Sequence, residues 1–258
     1  MRRWVPALLA VLLPCLLHSA PASAAADDFC QYGQATALLL IDRTTAFDDT
    51  DRSIFLGALD SLVLRLHAGD RLVAYTMTGA YTESRKVFDR CKPGCPDDSF
   101  LGSLLSTCRP VIARSDYRAF ITALAADLAQ LLREPEQTRL SDLFRTVADV
   151  TGTYAGDAGA ARGRPLRQLF IFSDLIENSS FLPEREFRRL PPADILRRLE
   201  QAGLQASVDG ADIRVFGFGR DDSPARPPLP NEQRQRLREV WLKWLRAGGA
   251  ASVEIGFR

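Results

Sequence analysis

The stretch Ala37-Leu38-Leu39-Leu40-Ile41-Asp42 is a continuous apolar run closed by an acid, and Leu169-Phe170-Ile171-Phe172-Ser173-Asp174 repeats the pattern far along the chain. A strand with one face in water alternates apolar and polar residues, whereas a run that is apolar at every position has both faces covered, as in the centre of a parallel sheet. Working outward, a polar loop from Arg43 to Thr50 leads to Phe55, Leu59, Leu62 and Leu66, a helical apolar stripe that stops at Gly69. Arg71 to Met77 reads as a second strand and Glu83 to Phe88 as a shorter third one near an edge. Helices are expected over Asp116 to Arg133 and Leu140 to Val150, separated by Glu134-Pro135, and a Gly/Ala-rich surface connector over Gly152 to Gly163. Beyond the second run, Ala193 to Ala202 reads as helix and Ile213 to Gly219 as strand. Asn231 reads as the cap of a long helix to Ala247 bearing Trp241 and Trp244, and Ser252 to Phe257 as a last strand. Strands alternating with helices imply right-handed crossovers. The expected class is α/β: a three-layer, doubly wound, mostly parallel sheet with one antiparallel edge strand, in a single domain over residues 25–258 with no internal repeat.

The first residues read differently. Arg2 and Arg3, an apolar run from Val5 to Leu17, and Ala20-Pro21-Ala22-Ser23-Ala24 have the layout of a secretory signal peptide cleaved after Ala24. The apolar run is about 13 residues, short of the roughly 20 a spanning helix needs, so no membrane insertion of the mature chain is expected. Of the 33 basic and 32 acidic side chains in the 258 residues, two arginines leave with the leader, and the mature chain is net acidic by one. Such a balance lacks the positive field that gathers nucleic acid without specificity. The expected location is the periplasm or the extracellular space.

Cys15 and His18 leave with the same segment, so Cys30, Cys91, Cys95 and Cys108 remain in an oxidising compartment, where two disulfides are expected. Three connectivities are open, with Cys30–Cys91 and Cys95–Cys108 mildly preferred, and residues 91–108 read as a loop stapled by disulfide. One histidine, His67, is left, which excludes any mechanism that needs two imidazoles.

Ligands of open α/β sheets sit beyond the carboxyl ends of the strands, where both closing aspartates fall. Asp42 with Thr44, and Asp174 with Ser173, would share that rim, joined by Thr138 in a segment expected to open a helix. Two carboxylates with hydroxyls are hard oxygen ligands of the kind Mg2+ or Ca2+ accepts.

At these residues the chain resembles the von Willebrand factor type A domain. That family carries an Asp-x-Ser/Thr-x-Ser loop after its first strand, a Thr before a helix and an Asp ending its fourth strand, which together form a metal-ion-dependent adhesion site. Asp42-Arg43-Thr44-Thr45-Ala46 matches the first element except at its last position, Thr138 resembles the central Thr, and Asp174 the strand-four Asp. The order of elements is similar from Ala37 to Phe257. Two departures weaken the match: Ala46 offers no oxygen where the family has a serine, and the family's Asp-Gly is Asp174-Leu175 here. Thr45, Asp48, Asp49 or Ser173 could stand in for the missing ligand. The resemblance implies a secreted or periplasmic protein–protein interaction module with Mg2+ (or Ca2+) at a site of Asp42, Thr44, Thr138 and Asp174, filled by a partner's carboxylate. The alternatives are a metal-assisted hydrolase or phosphotransferase using Asp42 as nucleophile or ligand, and a metal-free structural component of an envelope assembly.

Overall fold

β1 (Thr36–Asp42) is buried at all seven positions, and its side chains divide cleanly between two cores. Ala37, Leu39 and Ile41 belong to one apolar cluster and Leu38 and Leu40 to the other, as the two-residue period of a strand requires. The computed structural model describes residues 28–44, 48–96, 108–133, 138–155, 164–221 and 227–256. The leader with its cleavage point, Thr45 and Ala46, Glu134-Pro135 and residues 156–163 of the connector lie outside them.

Six strands form the sheet, in the order β3-β2-β1-β4-β5-β6. β1 runs parallel to β2 (Arg71–Met77), residue opposite residue from Thr36 with Arg71 to Asp42 with Met77. On its other side it pairs in parallel with β4 (Leu166–Phe172), which continues in parallel to β5 (Asp212–Phe216) and β6 (Ser252–Ile255). β3 (Lys86–Cys91) is the antiparallel edge. The class expected from the sequence is therefore the observed one, with the edge strand displaced toward Cys91.

Two helical layers cover the sheet. α1 (Asp49–Arg65) and α2 (Pro110–Arg133) supply Phe55, Leu62, Phe120, Leu124 and Leu128 to the cluster around Leu39 and Phe170. α3 (Leu143–Ala155), the single-turn α4 (Glu184–Phe187), α5 (Pro192–Gln201) and α6 (Asn231–Ala247) pack on the opposite face around Leu40 and Ile171. Each fully buried aliphatic or aromatic side chain of this kind contributes about 1.5–3 kcal/mol relative to an exposed one. The two tryptophans are core residues of α6: Trp241 stacks on Phe144 at 4.1 Å between ring centroids and donates its indole N–H to the Leu175 carbonyl, while Trp244 donates to the Leu204 carbonyl. No described helix is long and apolar enough to cross a membrane.

Several boundaries differ from the sequence reading. α2 begins at Pro110, six residues earlier than expected. α3 begins at Leu143 rather than Leu140 and runs through Gly152 to Ala155, so the first part of the supposed connector is helix. Its apolar face, with Val147, Val150 and Tyr154 buried, carries the helix across that glycine. Asn231 is the first residue of α6 and not its cap. Pro230 occupies the cap position with no side-chain hydrogen bond, and its fixed φ suits the entry to a helix.

The pole at the start of the parallel strands is tied together covalently. Cys30 is bonded to Cys91 and Cys95 to Cys108, with Cα separations of 5.2 and 5.6 Å, the pairing mildly preferred from sequence. Gly33 and Gly69 meet there backbone to backbone: a Cβ on Gly33 would lie 1.8 Å from the Gly69 carbonyl oxygen, and Gly69 itself has φ +84°. No other residue type fits either position.

Candidate functional site

The chain leaves β1 for β2 and β3 on one side and returns to β4 on the other, so the order reverses between β1 and β4. A crevice opens beyond the carboxyl ends of strands at such a point, and the residues singled out from the sequence stand there. Asp42 ends β1 with 1% of its surface exposed. Its Oδ1 accepts from the Thr44 amide (2.9 Å) and the Thr44 hydroxyl (2.6 Å), and its Oδ2 from the Ser173 hydroxyl (2.7 Å). Ser173 Oγ in turn accepts from the Leu175 amide, and Asp174 Oδ1 from the Ile176 amide, at 2.9 Å each. Ser173 thus joins the Asp42 carboxylate to the end of β4, while the Asp174 carboxylate beside it is engaged by its own loop.

Reading along the sequence missed the third element. Ser141 Oγ lies 3.2 Å from Thr44 Oγ1. Thr138, expected to fill this role, instead accepts from the Leu140 amide at 3.1 Å, and a Cβ on Gly79 would approach its hydroxyl to 2.9 Å. Among the described residues Thr138 has no hydrogen bond to Asp42, Thr44 or Ser173. The reason is the later start of α3: Ser141, not Thr138, stands two residues before the first helical position. Ser141 and Asn178 exchange both backbone hydrogen bonds, 2.9 Å each, so the segment before α3 is zipped to the segment after β4.

The stand-ins named from sequence occupy other roles. Asp48 caps α1 and forms a reciprocal capping box with Asp51. Arg220, from the loop after β5, reaches both, at 2.9 Å from Asp51 Oδ1 and hydrogen-bonded to both oxygens of Asp48. The Arg220 guanidinium holds the Asp48 carboxyl well below the usual range, against a smaller opposing effect of burial. Asp49 is exposed and pairs with Arg52. Thr45 lies outside the described residues. His67 follows α1 with its side chain 88% exposed and Nδ1 3.4 Å from Asp70.

Two further features of the rim escaped the sequence reading. Leu175, where the resemblance has glycine, holds φ +64° while fully buried. A left-handed non-glycine residue costs about 1–2 kcal/mol, offset here by burial of its side chain and by the Trp241 hydrogen bond to its carbonyl. Glu177, which follows this turn, is completely buried. Its Oε2 accepts from the amides of Leu143 (2.8 Å) and Phe144 (3.1 Å), the opening residues of α3, whose own first turn has no acid. Oε1 has no hydrogen-bond partner of ordinary geometry, although the Ser179 hydroxyl is near enough to ease its charge. Burial pushes Glu177 up to about 8, with Asp142 adding to the rise and Ser179 and the two amides opposing it. Asp142 is raised as well, by burial, with Arg145 opposing.

An oxygen-only set of carboxylates and hydroxyls suits a hard divalent cation. Thr44 and Ser173 give their hydroxyl protons to Asp42, which leaves hydroxyl lone pairs for a cation. Among the described residues no group of three or more His, Cys, Asp or Glu side chains forms a metal cluster, so any cation here would rely on two carboxylates and neutral oxygens.

No protein-family model matches the chain, and no curated protein matches it. Among solved structures, the chain is similar to the conserved hypothetical protein BatB from Bacteroides thetaiotaomicron, at 10% identity over 86% of this chain and 90% of that one, with a TM-score of 0.37. A likeness of that degree carries no argument about function. The architecture stands on the sheet order and the two cores described above.

Proposed function

We propose that the protein is a secreted or periplasmic protein–protein interaction module whose rim, built from Asp42, Thr44, Ser141 and Asp174 with Ser173 behind them, engages a partner carboxylate through Mg2+ or Ca2+. The observation that carries this reading is the convergence of Asp42, Thr44 and Ser173 with Ser141 at the switch point of the sheet. Thr138 remains at the margin of the same rim as an additional oxygen. Two disulfides support the oxidising location. With few carboxylates the cation is held weakly, and an Asp or Glu of the partner completes its shell. Hydrolase or phosphotransferase chemistry at Asp42 is less well supported, because both its oxygens are engaged by neighbouring donors, which suits a carboxylate that orients hydroxyls better than one that attacks.

Calorimetric titration of Mg2+ into the mature protein tests the reading. Saturable heat is expected for the native chain and none above the buffer control for Asp42→Ala. No heat from either protein sinks the cation-bridged module and leaves the metal-free one.

A further inference from the structure

Ser141 supplies a rim hydroxyl that belongs neither to the β1 loop nor to the β4 loop, and among the described residues it is the one from its segment that reaches Thr44. The five residues from Thr138 to Asp142 are neither helix nor strand, apart from the isolated bridge at Ser141. Asp142 is tied to Thr78 through its amide, and the ties that bear on Ser141 and on the start of α3 come from Glu177 and Asn178. Glu177 takes the first two amides of α3, Asn178 exchanges two backbone bonds with Ser141, and the Asn178 side chain donates to the Arg139 carbonyl. Asn178 is itself anchored, its Oδ1 accepting from the Glu184 amide at 3.0 Å. The carboxyl of Glu177 is in turn a costly group to bury, since the amide-bonded oxygen accounts for only half of it and Oε1 has no hydrogen-bond partner of ordinary geometry. A glutamate that merely filled space would be replaced at lower cost by an apolar residue. The position makes sense where an acceptor must hold the start of a helix in register with something beyond it.

We propose that Glu177 and Asn178 act as a latch that sets the Ser141 hydroxyl against Thr44, so that cation affinity at the rim depends on two residues that bind no cation themselves. The inference rests on the cation reading of the rim given above. Residues that orient metal ligands from behind typically change metal affinity 10- to 100-fold when lost, and a latch of this kind acts only through the hydroxyl it places.

The test is a double-mutant cycle read by Mg2+ calorimetry, with amide hydrogen exchange at Ser141 and Asn178 measured without metal. Glu177→Ala is expected to weaken Mg2+ binding by about 10-fold or more, but by less than about threefold in a Ser141→Ala background, because the latch then has nothing to place. Glu177→Gln, which keeps an acceptor for the α3 amides, should stay within about threefold of the native protein. Equal losses in both backgrounds would mean general damage and overturn the proposal, as would native affinity in folded Glu177→Ala. If Glu177→Ala does not fold, Asn178→Ala, which cuts the ties to Arg139 and Glu184 and leaves the carboxyl in place, runs the same cycle. The exchange arm separates the two readings. With no Mg2+ heat in the native protein, exchange at Ser141 that accelerates at least tenfold in the variant, while Leu39 and Ile171 stay protected, supports the latch and removes the cation. Unchanged exchange removes both.

Discussion

Replacing Glu177 by glutamine leaves the shape of the side chain and removes its titration. In the folded protein the carboxyl is pushed up to about 8, mainly by burial, from an ordinary 4.5. A carboxyl whose folded value is raised binds its proton more tightly folded than unfolded. Its contribution to stability is full below the unfolded value and is lost as pH rises through the folded one. Between pH 6 and pH 9 the native protein should therefore lose on the order of 3 kcal/mol that Glu177→Gln does not, taking about 1.4 kcal/mol per pH unit over the two units below the folded value. The amides of Leu143 and Phe144 and the positive end of the α3 dipole favour the charged form, but two hydrogen bonds do not offset complete burial. For a chain of this size each kcal/mol moves the melting temperature by about 2–4 °C. The difference in melting temperature between the two proteins should thus grow by about 6–12 °C from pH 6 to pH 9, in favour of the variant. Other groups titrate in both proteins and cancel in the difference. Parallel pH dependence in the two would refute the reasoning and mean that the Glu177 carboxyl is ionised throughout.

Arg220→Ala leaves Asp48 and the buried Asp51 without their guanidinium. A loss of about 2 kcal/mol is expected by urea unfolding, below the cost of a fully buried pair because Asp48 is partly exposed. The depressed Asp48 carboxyl adds stability above its ordinary value of 3.8 that disappears as pH falls below it, so the gap between native and variant should narrow in acid. The two disulfides close loops of unequal length, with sequence separations of 61 and 13. The Cys30→Ala/Cys91→Ala pair should cost about 4 kcal/mol and Cys95→Ala/Cys108→Ala about 3, and the reverse order by denaturant titration would show that strain or residual unfolded structure dominates loop closure.

The parts of this structure legible in the sequence are those decided by one local pattern. Ala37 to Asp42 and Leu169 to Asp174 announce central strands because every position is apolar, and their closing acids fall at the rim because a strand buried on both faces ends where polarity resumes. Asp42, Thr44, Ser173 and Asp174 were found for that reason. Ser141 was not, because its place depends on where α3 starts, and the opening amides of that helix are held by Glu177, 34 residues after its first residue. Asp48 illustrates the opposite error. A carboxylate near the rim in sequence looks like a spare ligand, whereas a capping box and Arg220, 172 residues away, have already claimed it. Leu175 could have been flagged only by noticing that the chain must turn left-handed there without a glycine.

β3 is the one strand that runs against the others, and this reversal decides where oxidation is felt. Cys91 ends β3 opposite Arg71, the first residue of β2, so the strand delivers its cysteine to the pole farthest from Asp42, which faces Met77 at the other end. The Cys30–Cys91 bond therefore braces the end of the sheet remote from the rim, whose described groups are held by hydrogen bonds.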